Sequence, residues 1–165
     1  MYIPFENLPP DARIWIYQAN HQLTDDEANF IEESLKPAIN QWAAHGVALL
    51  ASVKIFYHRF IVIALNEKQY AASGCSIDSS TRWLKDLGEK MSIDFFDRSQ
   101  AYLEEGEIKT FSVFQAKKAV ENGIISPDTI VFLNNGINTI EDILEKWKEK
   151  AANTYLKRYF SEQTV

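Results

Sequence analysis

Apolar and polar residues alternate from Ala12 to Ala19, with Arg13, Trp15 and Tyr17 on one side and Ala12, Ile14 and Ile16 on the other. A period of two predicts a strand, and apolar residues on both sides predict that both faces are at least partly covered. The prolines of Leu8-Pro9-Pro10-Asp11 keep the lead-in extended. The period then lengthens. Ala28, Ile31, Leu35, Ala38, Ile39 and Trp42 recur at helical spacing behind Thr24-Asp25-Asp26-Glu27. In that tetrad the Thr24 hydroxyl and the Glu27 carboxylate can each satisfy an amide at the helix start, and the acids suit the positive end of the dipole. Pro37 removes an amide and crowds the carbonyl four residues back, so a kink or a second short helix is expected there. His45-Gly46 is the expected stop.

Ser52 to Tyr57 and Phe60 to Leu65 are rich in β-branched and aromatic residues. They predict a hairpin turning near His58-Arg59; with no Asn-Gly at the turn, one long bent strand is the alternative. Ile77, Leu84, Leu87 and Met91 then line one face of a helix with Gly88 near its end. Ile93 to Leu103 is a weaker strand, Glu104 to Glu107 a turn, and Ile108 to Phe114 a strand or the run-in to a helix over Gln115 to Glu121. Ser126-Pro127-Asp128 precedes a short strand, Thr129 to Leu133, which Asn134-Asn135-Gly136 ends. From Asn138 a long helix is expected, its apolar face running Ile140, Ile143, Leu144, Trp147, Ala151 and Tyr155.

Over the first hundred residues this order is strand, helix, strand, strand, helix, strand, the split βαβ order of the ferredoxin-like sandwich. The fold class expected is therefore α+β, an antiparallel sheet with helices on one face and a C-terminal strand and helix extension. A chain of 165 residues with no repeat or linker tract is expected to form one domain, residues 1–165.

Composition narrows the function classes. A net charge of −6 opposes nucleic-acid binding, which needs clustered cations. The longest apolar runs, such as Ile61 to Leu65, are far too short to cross a bilayer. One cysteine cannot form an internal disulfide, and the first residues lack a signal-peptide pattern, so a cytoplasmic protein is expected. No P-loop, dinucleotide fingerprint, nucleophile elbow or metal-ligand spacing occurs, so neither cofactor nor metal is expected.

The candidate chemistry lies between the hairpin and the second helix, where Ser73, Gly74, Ser76, Asp78, Ser79, Ser80 and Arg82 surround the lone Cys75. Amides and hydroxyls at a helix start suit a small anion, with Arg82 adding charge, so the loop 73–80 is expected to bind a small anionic ligand or a partner protein, although helix capping uses the same residue types. A thiol at a helix start is also biased toward thiolate, which makes Cys75 a candidate nucleophile with His45 or His58 as base. Free cysteines more commonly pack as small apolar residues, and the Asp78 anion opposes thiolate formation. A third reading is an interaction protein without chemistry, a homodimer through its aromatic-rich surface or C-terminal helix.

Four stretches, Met1-Tyr2-Ile3-Pro4-Phe5, Trp42-Ala43-Ala44-His45-Gly46, residues 73 to 80 and Phe95-Phe96-Asp97-Arg98, make the chain resemble an uncharacterised bacterial family. Its members often carry the label "ABC transporter ATPase". The sequence has no Walker lysine, no Gly-rich phosphate loop and no Leu-Ser-Gly-Gly-Gln stretch, so that label is an inherited misnaming. The resemblance implies no reaction and no ligand.

Overall fold

The central element is the strand Phe60–Leu65, every residue of which is buried. Phe-Ile-Val-Ile-Ala-Leu suits that position because β-branched and aromatic side chains pack well on a pleated surface covered on both sides. The computed structural model describes residues 1–44, 46–67 and 74–161, with only the backbone described at 44, 74–77 and 161. The chain groups into two compact units, Met1–Asp97 with Ile137–Asp142, and Arg98–Gly136 with Ile143–Val165.

In the first unit the elements are β1 (Arg13–Gln18), α1 (Asp25–Asn40), β2 (Ala43–Ala44), β3 (Val47–Ala48), β4 (Ala51–Phe56), β5 (Phe60–Leu65) and α2 (Gly74–Met91). The sheet order is β1-β5-β4, antiparallel at both junctions. Register places Trp15, Ile63 and Val53 side by side, and next to them Tyr17, Ile61 and Ile55. On that face Ile31, Leu35 and Ile39 of α1 and Leu84 and Leu87 of α2 complete one core cluster. Burying each such side chain stabilises by roughly 1.5–3 kcal/mol. On the other face the N-terminal turn Phe5–Asn7 covers β4, with the Phe5 and Phe56 rings 5.9 Å apart.

The hairpin reading of β4 and β5 is met, and its turn is unusual. Tyr57 and His58 both adopt positive φ (55° and 53°) without glycine or asparagine. The loop after β1 holds them there: Leu23 N–H donates to His58 O at 2.7 Å and Gln22 Nε2 donates to Tyr57 O at 3.2 Å. The capping box is complete, with Glu27 N–H donating to Thr24 Oγ1 and Thr24 N–H to Glu27 Oε1.

Three expectations for this unit are corrected. α1 is one helix rather than two short ones, with Pro37 inside its final turns. Gly46 (φ 78°) does not end that helix; it lies between β2 and β3, which pair with each other. The fourth strand, expected over Ile93 to Leu103, does not join this sheet. Residues 93–97 meet β1 only at its end, through a bridge between Gln18 and Phe96. Part of the remaining edge of β1 is taken by the 138–140 segment, where Ile14 N–H donates to Asn138 O and Ile140 N–H to Ala12 O.

The second unit is built on β6 (Gln100–Glu104), β7 (Glu107–Phe111), α3 (Ala116–Glu121), β8 (Ile130–Phe132), α4 (Ile140–Glu145, shared with the 137–142 segment), β9 (Lys148–Lys150) and α5 (Lys157–Ser161). Its sheet is antiparallel in the order β7-β6-β8-β9. The expected turn at residues 104–107 is present, with Glu105 and Gly106 left-handed (φ 51° and 79°). Tyr102, Ala119, Val120, Ile125, Val131 and Leu156 form its core. The long helix expected from Asn138 is absent: α4 stops at Glu145. Trp147 is instead fully buried against Phe132 (ring centroids 5.1 Å apart), and its indole N–H donates to Asn134 Oδ1 at 2.7 Å. Once that ring is placed, Lys148–Lys150 pair with Ile130–Phe132, and Leu144 is left 84% exposed.

Candidate functional site

The sequence-predicted residues are placed as follows. Ser73 and His45 lie outside the described residues, and of Gly74, Cys75 and Ser76 only the backbone is described, in the first turn of α2. Asp78 and Arg82 are exposed and Ser79 half-buried. Ser80 is fully buried, and its Oγ lies 2.9 Å from the Tyr17 hydroxyl, so this hydroxyl bonds within the core. His58 is exposed at the hairpin turn and its Nε2 lies 2.7 Å from Asp25 Oδ1; a parallel pair joins His21 Nε2 to Glu27 Oε2 at 3.2 Å. Among the described residues no group of three or more His, Cys, Asp or Glu side chains converges to hold a metal, and no helix is long and apolar enough to cross a membrane.

A groove that sequence reasoning missed opens at the opposite end of α2. It has a volume of about 290 Å³ and is lined by Leu84, Lys85, Gly88, Glu89 and the segment Ser92 to Phe96. Its geometry follows from how α2 stops. Ser92 takes the left-handed conformation (φ 57°) and Ile93 N–H donates back to Gly88 O at 3.0 Å, the bond pattern of a Schellman end. The turned-back chain lies so close to the helix that a Cβ on residue 88 would sit 2.6 Å from Ile93 O. Only glycine admits that approach, and it brings the Phe95 ring over the helix end.

Residues 94–97 form the outer wall and are tied to the end of β1. Asn20 N–H donates to Asp94 O, Asp94 N–H to Asn20 Oδ1, Phe96 N–H to Asp94 Oδ1, and Asp97 N–H to Gln18 O. Beneath them Arg59 is buried to 6% exposure and its Nε donates to Ala19 O at 2.7 Å. Burial pushes the Arg59 guanidinium below its ordinary range, opposed by the charge of Asp97. With the wall fixed in this way, Phe96 stands 40% exposed, edge-on to Tyr17 at 5.7 Å. Lys85, Glu89 and Asp94, all exposed, form a charged rim above the buried Leu84, Ile93 and Phe95. The polar groups in the groove's lining are those of Lys85, Glu89, Ser92 and Asp94, while Leu84, Ile93 and Phe95 are buried beneath. The only sequence signal for it is Gly88 followed five residues later by Ile-Asp-Phe-Phe, which reads equally well as a helix stop and a strand.

No family model matches the sequence, and no curated protein or solved structure is similar enough to it to carry an inference.

Proposed function

We propose that this chain is a binding module whose first unit takes an apolar side chain of a partner protein into the groove beside the C-terminal end of α2. The observation that carries the reading is the aromatic Phe96, 40% exposed, at the edge of a groove over the buried residues Leu84, Gly88, Ile93 and Phe95. A pocket of about 290 Å³ is at the small end for ligand sites, which suits a side chain better than a nucleotide or cofactor. The wall is held by main-chain hydrogen bonds, so little ordering cost attends binding. Titrating isotope-labelled protein with N-acetyl-phenylalanine amide tests it by NMR. Saturable shifts are expected at the Leu84 and Ile93 methyls; shifts scattered elsewhere, or none, remove the reading.

A small anion bound over residues 73–80 is a second reading, favoured by one observation. α2 has no acidic residue in its first turn, whereas the first turn of α1 holds Asp25, Asp26 and Glu27. The positive end of a helix attracts anions. Phosphate titration should then shift the amides of residues 74–78, and unchanged amides at saturating phosphate exclude it. For architecture, we read the first unit as a ferredoxin-like sheet reduced to three strands, because β1 and β4 run the same way on either side of β5.

A further inference from the structure

We infer that Asn135 is a chemical modification site, at which the chain converts asparagine to aspartate and isoaspartate with water as the only co-reactant. Asn135 and Gly136 are the central pair of a tight turn after the strand Ile130–Phe132, and both are exposed. They lie where the chain leaves the second unit for the Ile137–Asp142 segment grouped with the first. The residues on either side are anchored. Asn134 Oδ1 accepts from the Trp147 indole at 2.7 Å, Ile137 is buried to 6% exposure, and Asn138 O accepts from Ile14 N–H at 2.9 Å. Between these anchors, the Asn135 side chain and the Gly136 N–H have no hydrogen-bond partner among the described residues. A Cβ at Gly136 would meet nothing within 4 Å, so nothing crowds the turn.

Asparagine is among the chemically labile residues. Once its proton is lost to solvent base, the Gly136 nitrogen attacks the side-chain carbonyl carbon of Asn135. A C–N bond forms, the bond to the side-chain nitrogen breaks, and ammonia leaves with the returned proton. Water then opens the cyclic imide at one of its two carbonyls. Attack on the side-chain carbonyl gives aspartate, and attack on the main-chain carbonyl gives isoaspartate; either way one neutral amide becomes one carboxylate. Glycine allows the closure because no Cβ stands beside the attacking nitrogen. The same dipeptide at Asn122-Gly123 is held differently. At the end of α3, Gly123 N–H donates to Val120 O at 3.1 Å and Asn122 N–H to Lys118 O at 2.9 Å. The Gly123 nitrogen must leave its bond before it can attack, so closure there waits on local opening. Asn134 is restrained too, because its side chain is engaged by Trp147 and its successor is asparagine rather than glycine.

Peptide mapping by mass spectrometry on the full chain, held folded in mildly alkaline buffer, tests the inference. Asn135 should gain the mass of deamidation, with isoaspartate among the products, roughly fivefold or more faster than Asn122, the factor that one retained hydrogen bond supplies. In guanidinium chloride the two sites should convert at similar rates, because only the fold distinguishes them. Asn135→Gln, at an exposed position, should remove the main acidic species that ion exchange resolves from aged wild-type protein. Four results would each overturn the inference: equal rates at the two sites in the folded chain, faster conversion at Asn122, an Asn135 that stays intact over the time in which the unfolded chain converts, or an Asn135→Gln protein that forms the acidic species at the wild-type rate.

Discussion

Gly88 and Ser92 hold the conformation on which the groove depends, and each makes a quantitative demand. At Gly88 an added methyl meets a backbone carbonyl at 2.6 Å, which cannot rotate away as a side chain would. Gly88→Ala should therefore destabilise the protein by ~1–3 kcal/mol, the usual cost of overpacking, as measured by urea denaturation. Ser92 carries the opposite expectation. It sits at φ 57° as the left-handed residue after the helix, where a Cβ is disfavoured. Ser92→Gly should raise stability by up to about 1 kcal/mol, and an unchanged or lower midpoint would show that the serine side chain contributes something not evident in its hydrogen bonds. From sequence the helix face runs through Met91 with Gly88 near its end, as the structure has it, but nothing local marks Ser92 as the residue that makes the turn. Residue type alone cannot separate these uses, because glycine is chosen both for left-handed backbone and for close approach. Ser80 illustrates the same limit. A serine in a polar run reads as a ligand donor, and only packing shows its hydroxyl turned onto Tyr17.

At the scale of elements, the legible ones carry their own local chemistry. The capping box of α1 is visible in Thr24-Asp25-Asp26-Glu27 because all its partners lie within four residues. Thr24→Ala should cost about 1 kcal/mol of stability, with the loss concentrated in faster amide exchange over the first turn of α1. The C-terminal helix fails for the converse reason. Ile140, Ile143, Leu144 and Trp147 keep helical spacing, yet Leu144 is exposed and Trp147 serves the sheet. What decides between helix and strand at Lys148–Lys150 is the free edge of Ile130–Phe132, a partner some twenty residues away in sequence. A charged Lys-Glu-Lys strand is a common edge device, and it was the one local hint against the helix.

For the whole molecule the charge pattern predicts a stability plateau bounded on both sides. The Glu27 carboxylate is held below its ordinary value of 4.5, chiefly by the Thr24 amide, and Glu149 is lowered by Asn153 and the Lys150 amide. A lowered folded-state value means stability that is present above the ordinary value and lost as pH falls through the folded one. Tyr102 and Tyr155 are raised above 10.0, chiefly by burial, so their contribution is complete below 10.0 and lost as pH rises through the folded values. Urea midpoints should thus be flat at neutral pH and fall at both extremes. Glu27→Gln should lessen the acid slope, and Tyr102→Phe with Tyr155→Phe the alkaline one; slopes unchanged in these variants would place the titrations elsewhere. The sequence by itself determined the strands β1, β4 and β5, both long helices and the α+β class, because periodicity and caps act over one or two turns of chain. Beyond the β4–β5 hairpin, tertiary structure alone decided which strand pairs with which, why the fourth strand leaves the first sheet, and where a groove opens. Those outcomes depend on backbone edges and ring contacts between residues far apart in the chain, and no local pattern encodes them.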